Sequence, residues 1–308
     1  MAGKPRVRTA PDGLVIIDKP AGMTSHDVVA RMRRVCGTRA VGHAGTLDPM
    51  ATGVLVLGIE RGTKLLGHLA LTSKTYLATM RLGVTTVTED AEGEITGTTS
   101  AAHLTDEAIR AAASTFVGPI AQRPSAVSAI KIDGVRSYAR VRAGEAVQLP
   151  ARPVTIHELR VLGIRRSDDV VDVDVEATVS SGTYIRALAR DIGEALGVGA
   201  HLTALRRTAA GRYTLADAIT LPEPGEQVAL TPLLDVLARE YAVVALDAAA
   251  ADRVLHGARI PVVAPAGATE SLGQPAGLVG LVDPAGRLLA LSEAHADGTW
   301  HHLTVFSG

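Results

Sequence analysis

The sequence predicts a mixed α/β protein that ends in a β-rich tail, on three observations. Two segments alternate apolar and polar residues at strand period. Residues 74–81 put Tyr76, Ala78 and Met80 on one face, and residues 168–179 do the same for Val171, Val173, Val175, Ala177 and Val179. Two other segments, residues 24–36 and 184–196, carry apolar residues at helical spacing. After residue 240 the chain turns to short apolar runs separated by Gly-, Pro- and Ala-rich turns. A chain of 308 residues suits a main domain with a smaller one. At 47% apolar but 3% aromatic content, its core must be built from Val, Leu, Ile and Ala.

Taken in order, residues 1–10 are polar and basic and are expected to fray. Residues 14–17 form a short strand that runs into the turn Asp18-Lys19-Pro20-Ala21-Gly22. Thr24 or Ser25 caps a helix with Val28 or Val29, Met32 and Val35 or Cys36 inward; Arg31, Arg33 and Arg34 lie off that stripe, and Gly37 ends it. Residues 54–57 read as a buried strand, followed by a short helix burying Leu65, Leu66 and Leu69. Residues 89–103 read as a connection or exposed ribbon, and Thr105 caps a helix with Ile109 and Ala112. Residues 119–142 form a basic arm with little core of its own. Strand character resumes at residues 154–162, and Asp172, Asp174 and Glu176 of the next strand face water. The helix after Ser180-Ser181-Gly182-Thr183 buries Ile185, Leu188, Ile192 and Leu196, with Tyr184 and Arg186 at its first turn. Thr231-Pro232 starts another helix, Thr as cap and Pro at the first position. The tail strands are residues 243–246, 260–263, 278–282, 288–291 and 303–306.

Composition excludes several classes. One cysteine, Cys36, allows neither a disulfide framework nor a cysteine-based metal site. With no apolar leader and no bilayer-length run, the expectation is a cytoplasmic protein without a membrane partner. The net charge of −1 conceals blocks: +7 over residues 1–81, −5 over 82–120, +4 over 121–215 and −7 over 216–308. A polyanion responds to a local face, although such blocks can also cancel by folding together. Gly45-Thr46 lacks the Lys-Ser/Thr of a phosphate loop, and there is no dinucleotide fingerprint, no Ser–His–Asp or Cys–His order and no convincing carboxylate pair. His295, His301 and His302 cluster near the end without a supporting Cys or Asp geometry, which favours a polar edge over a metal site.

The stretch the rest is organised around is Gly42-His43-Ala44-Gly45-Thr46-Leu47-Asp48-Pro49-Met50-Ala51-Thr52-Gly53. It holds one carboxylate, Asp48, on a glycine-punctuated loop against a buried strand. The plainer alternative is an Asp-Pro turn satisfying its own backbone. This stretch resembles the signature of the bacterial TruB family, synthases that make pseudouridine in the T loop of tRNA. Asp18-Lys19-Pro20-Ala21-Gly22-Met23-Thr24-Ser25, Lys74-Thr75-Tyr76, Pro124-Ser125 through Tyr138, and Gly182-Thr183-Tyr184-Ile185-Arg186 with Leu205-Arg206-Arg207 agree with the family in order, covering residues 10–215. The tail resembles the family's PUA-like domain through Leu255-His256-Gly257.

The resemblance implies the pseudouridine synthase α/β (α+β) fold: a mixed, mainly antiparallel sheet with flanking helices and a central cleft. It implies a catalytic domain over residues 10–238, containing an RNA-binding thumb arm at 120–145, and a small PUA-like domain over 240–308. The implied activity is isomerisation of uridine to pseudouridine at position 55 of tRNA after base flipping, with no cofactor and no metal. Asp48 would be the nucleophile, Arg186 its partner, and Tyr76 the ring that stacks on the base and helps take the C5 proton. Tyr184 and Leu205 would line the pocket, Lys19 and Pro20 support it, and His43 fill the space the base leaves. Arg123, Lys131, Arg136, Arg140 and Arg142 would contact phosphates. The implied partner is the tRNA T-stem-loop, bound by a monomer. Read without the resemblance, Arg186 is a surface cation, Tyr76 a half-buried strand aromatic, His43 a turn histidine and Lys19 a solvated side chain. The alternative function is a non-catalytic RNA-binding or tRNA-folding protein on the same fold.

Overall fold

Two sheets of ten and five strands organise the protein. The computed structural model describes residues 10–69, 71–125, 149–261 and 277–306, and the backbone of residues 131–132 and 135–136. The chain opens with β1 (Gly13–Lys19), α1 (Ser25–Val35), β2 (Val41–Ala44) and β3 (Thr52–Ile59). Then come β4 (Ser73–Leu82), the short pair β5 (Val84–Thr86) and β6 (Ile95–Thr98), α2 (Asp106–Ser114) and β7 (Gly118–Gln122). A small ladder of β8 (Lys131–Ile132) and β9 (Val135–Arg136) precedes β10 (Arg152–Ser167) and β11 (Val170–Ser180). Next are α3 (Ile185–Ala195), β12 (Ala200–Ala210), β13 (Tyr213–Thr214), β14 (Ala218–Thr220) and α4 (Leu233–Glu240). The C-terminal part holds β15 (Ala242–Ala245), α5 (Ala248–Leu255), β16 (Ile260–Pro261), β17 (Leu278–Val282), β18 (Leu288–Ala294) and β19 (Thr299–Val305).

The large sheet runs β14-β1-β3-β12-β4-β11-β10-β7, with β2 added to β3 and β13 to β12. It is mixed and mainly antiparallel; β1–β14 and β3–β12 are its parallel pairs. Side-chain parity explains the two kinds of strand sequence. β1 and β3 are apolar at nearly every position because both faces are covered. Val15, Ile17, Leu55 and Leu57 face a core built with Val28 and Met32 of α1, Ile109 of α2 and Leu188 and Ile192 of α3. Leu14, Ile16, Val54 and Val56 face Val236 and Leu237 of α4, Leu291 of β18 and Phe306. β4 and β11 alternate because one face alone is buried: Tyr76, Ala78 and Met80 pair in register with Ala177, Val175 and Val173.

Local signals set the helix ends. Thr24 and Asp27 form a capping box at α1, Thr105 caps α2, and Gly37 follows α1 at a φ of +63°. Other expectations are corrected. Leu65 and Leu69 are buried as expected, but they follow a 3₁₀ turn, Glu60–Lys64, and no α-helix forms there. Gly62 is pressed against the Gly13 carbonyl and fixes that turn. Pro232, one residue later than expected, occupies the N-cap of α4, because both backbone groups of Thr231 pair with Leu14. Residues 202–207, which the sequence reading assigned to no element, lie in β12, in the interior of the sheet. Residues 91–100 are mostly exposed, as expected of a connection or ribbon, with β6 paired to β5, but Asp90 at the start of the segment is buried. Asp172, Asp174 and Glu176 are paired with Arg81, Arg165 and Arg160 across the sheet face. The tail contains a helix, α5, where short strands and turns were expected; its Asp247 cap and alanine run are ordinary helix signals. Val262 and Val263 of the expected strand 260–263 lie outside the described residues.

Gly53 joins the loop to the sheet. Its φ is +101°, and a Cβ there would stand 2.1 Å from the Arg207 carbonyl oxygen. Gly53→Ala is therefore expected to lower the unfolding free energy by about 3 kcal/mol, measured by urea denaturation.

Candidate active site

The loop between β2 and β3 is held from below by backbone-directed side chains. Ser25 Oγ donates to the Leu47 carbonyl at 3.1 Å and accepts from the Leu47 N–H at 2.9 Å. Lys19, fully buried at the end of β1, donates to the carbonyls of Pro20, Met23 and Pro49 at 2.9, 2.6 and 3.1 Å. Arg207, also fully buried, donates to Val54 at 2.7 Å, Gly45 at 2.9 Å and Thr46 at 3.4 Å. The loop turns tightly at Asp48, whose carbonyl accepts from the Ala51 N–H at 3.1 Å.

That anchoring aims the Asp48 carboxylate at Arg186 on the first turn of α3. The pair is two-pronged: Nε donates to Oδ2 at 3.0 Å and Nη2 to Oδ1 at 3.2 Å. Arg186 Nη1 donates to the Thr88 carbonyl at 2.7 Å and to Ser125 Oγ at 3.2 Å, and stands 3.6 Å from Asp90 Oδ2. The Arg186 side chain is 4% exposed and that of Asp48 34%, so the guanidinium is sealed in while the carboxylate keeps an open side.

That open side faces a cavity of about 300 Å³. Tyr76 of β4, Leu205 of β12 and Tyr184 at the N-cap of α3 line it, with Lys74 and Arg207. Tyr184 carries the Arg152 guanidinium over its ring at 5.0 Å. Among the described lining residues Asp48 is the sole carboxylate. Burial pulls Lys74 down to about 8, with the Arg207 charge adding to the effect, and Lys74 donates to Ser181 Oγ at 2.7 Å. The site thus offers one aimed anion, two aromatic rings, an apolar wall and further positive charge. This suits a planar ring attached to an anionic backbone.

The structure brings Asp48, Arg186, Tyr76, Tyr184 and Leu205 together. The surface reading of Arg186 is corrected by its burial, and the solvated reading of Lys19 likewise, because its ammonium is spent on loop carbonyls. Lys19 and Pro20 do not line the cavity: Lys19 lies beneath the loop and Pro20 is exposed. His43 sits on β2 outside the lining, edge-on to His26 at 5.5 Å, with its Nδ1 buried and unpartnered. Burial lowers its pKa, helped by His26 and Arg207. Arg123 is exposed at the root of the arm. The Lys131 and Arg136 side chains, and Arg140 and Arg142, lie outside the described residues.

Sequence reasoning missed Asp90, Gln122, Ser125 and Arg207 as parts of this site. Asp90 has no periodic context; Arg207 carried a signal in its stretch but not its partners. The histidine cluster is also redrawn. His302 turns to Ser292 and the Ala258 carbonyl, while His295 and His301 stack at 3.9 Å beside Asp297, an acid the sequence reading did not connect with them. The His295 and His301 ring planes lie 8° from parallel, and Asp297 Oδ1 already accepts from the Thr299 N–H and hydroxyl. The trio fits a polar turn.

Comparison with known proteins gives consistent likenesses. Residues 33–185 match the model described as TruB family pseudouridylate synthase (N terminal domain), and residues 186–232 that of the tRNA pseudouridylate synthase B C-terminal domain. The chain is similar to tRNA pseudouridine synthase B of Streptomyces coelicolor, with 55% identity covering 97% of this chain and 98% of that one. It is 53% identical to the Thermobifida fusca protein of the same name, covering 96% and 99%. Among solved structures it resembles an H/ACA RNP bound to a substrate RNA containing 2′-deoxyuridine. There the TM-score is 0.67 and the identity 27%, covering 96% of this chain and 85% of that one.

Lys19 sets a pH-dependent test of the loop anchor. Burial lowers its pKa from 10.5 to about 8, against an opposing pull from Asp48. Between those values the unfolded chain binds more protons, so the contribution of Lys19 to stability rises with pH from about 8 to 10.5. The wild-type minus Lys19→Met difference in unfolding free energy should increase over that window in denaturant titrations.

Proposed function

The chain belongs to the TruB family of pseudouridylate synthases, and we propose that it acts on the T-loop uridine of tRNA with Asp48 as its essential carboxylate. The enzyme isomerises uridine to pseudouridine in tRNA. The reaction breaks the bond from C1′ to N1 and makes one from C1′ to C5; the C5 proton is lost and N1 ends protonated, so nothing is oxidised or reduced. The observation that carries the reading is the two-pronged hold of Arg186 on Asp48 at the mouth of a cavity walled by tyrosines.

Each residue then has a task. Arg186 holds the carboxylate in a fixed aim through two charge-assisted hydrogen bonds. Tyr76 stacks on the everted uracil and stands where the C5 proton leaves; Tyr184 and Leu205 close the other walls. Lys19 and the Pro20 carbonyl hold the loop, and His43 occupies the place of the everted base in the RNA. Arg123 begins a row of phosphate contacts that Lys131, Arg136, Arg140 and Arg142 continue along the arm at residues 120–145. Residues 10–238 form the catalytic domain and residues 240–308 a PUA-like domain, which fits the separate C-terminal sheet. The protein works as a cytoplasmic monomer. Among the described residues no helix is long and apolar enough to cross a membrane.

An unmodified tRNA transcript incubated with the protein should gain pseudouridine in its T loop, mapped by chemical labelling and primer extension. Asp48→Asn should bind the transcript within about threefold of wild type and yield no product. Product at another position would overturn the T-loop assignment, and wild-type turnover by Asp48→Asn would overturn the role of the carboxylate. Arg123→Ala should weaken binding and reduce the slope of log affinity against log salt by about 1.

A further inference from the structure

Arg186 can hold Asp48 only if the start of α3 is fixed, and no side chain of its own caps that helix. Tyr184 occupies the N-cap position without a side-chain hydrogen bond. The missing restraint comes from 62 residues earlier in the chain. Gln122, the last residue of β7, is 1% exposed, and its carboxamide lies against the Tyr184 backbone. Oε1 accepts from the Tyr184 N–H at 2.9 Å, and Nε2 donates to the Tyr184 carbonyl at 3.1 Å. The same carbonyl accepts the first bond of the helix, from the Leu188 N–H at 3.0 Å. Gln122 therefore satisfies the N-cap backbone N–H from outside the helix, as the reciprocal side chain of a capping box does from within. Three residues on, Ser125 Oγ, also fully buried, accepts from Arg186 Nη1 at 3.2 Å. The root of the arm thus touches the helix start at the peptide two residues before the arginine and at the arginine itself.

We propose that Gln122 is a positioning residue for the isomerisation: its carboxamide fixes the Tyr184 peptide so that Arg186 meets Asp48 in register, and Ser125 completes the restraint. The inference rests on the reading of Asp48 as the reacting carboxylate. A tilt of the 184–186 backbone would be felt at the two Arg186–Asp48 bonds, while the phosphate-binding surface would stay as it is. The expected signature is in kcat and not in KM.

The test uses the full chain with an unmodified tRNA transcript and two variants. Gln122→Met keeps length and removes both hydrogen bonds. It should lower kcat at least about tenfold with KM within about threefold, at a temperature where its circular dichroism matches wild type. Gln122→Glu keeps the acceptor for the Tyr184 N–H but, when ionised, sets an oxygen against the Tyr184 carbonyl. Protonated, it restores a donor there. Its kcat relative to wild type should rise as pH falls, while the Gln122→Met ratio stays flat. Wild-type kcat in Gln122→Met, a loss confined to KM, or a flat ratio for Gln122→Glu would each overturn the inference. Failure of the underlying reading is seen separately, as full turnover by Asp48→Asn or no pseudouridine from the wild-type protein.

Discussion

A guanidinium withdrawn from water is the constraint on which this structure depends. Arg186 is nearly fully buried, and a buried charge is tolerable only when its donors find acceptors. Those acceptors come from three separate parts of the chain: Asp48 on the β2–β3 loop, Thr88 and Asp90 in the β5–β6 hairpin, and Ser125 at the arm root, all gathered by the first turn of α3. The hairpin is bound in by the same need. Leu202 of β12 donates to the Glu89 carbonyl at 3.0 Å, which keeps Asp90 beside the arginine. A single ionic centre therefore ties the loop, the hairpin, the arm root and the helix into one rigid wall. Rigidity of that kind is what lets a lone carboxylate keep a fixed aim.

The Asp48 loop is supported by cations of a different sort. Lys19 and Arg207 are both fully buried, and they donate to backbone carbonyls of the Asp48 loop, of its border and of the turn between β1 and α1. Carbonyl dipoles solvate these charges without cancelling them. The positive charge remains, and it is felt at Lys74, whose depressed pKa owes part of its shift to Arg207. A cavity with one carboxylate and several cations around it favours an anionic chain. That reconciles a net charge of −1 with a polyanionic substrate: Lys74, Arg186 and Arg207 line the cavity, and residues 216–308 carry a net charge of −7.

The two faces of the large sheet divide the labour. Helices α1, α2 and α3 cover the face that carries Val15, Leu55 and Tyr76, so the helix bearing Arg186 packs directly on the strands that supply the cavity walls. On the other face of β1 and β3, α4 and residues of the C-terminal sheet complete the burial of Leu14, Ile16, Val54 and Val56. Arg61 and Lys64 also donate to the carbonyls of Phe306 and Val305. The C-terminal sheet is thus packed behind the strand that follows the Asp48 loop.

Sequence by itself determined what is local and periodic. The alternation of β4 and β11, the all-apolar strand β3, the caps at Thr24 and Thr105, and the loop carrying Asp48 follow from repeats of two or 3.6 residues and from side chains bonding their own neighbours. The stretches that resemble the family also put Asp48, Tyr76, Tyr184, Arg186 and Leu205 forward as candidates before any geometry was known. The tertiary structure decided what those residues touch. Asp48 and Arg186 are 138 positions apart, Gln122 and Tyr184 62, and Arg207 and Gly45 162. No periodicity links such partners, because what joins them is the set of hydrogen bonds that offset the cost of desolvating a charge or amide once the chain has folded. That is why Asp90 read as part of a ribbon and Gln122 as part of an arm until the fold placed both against the same arginine-bearing helix.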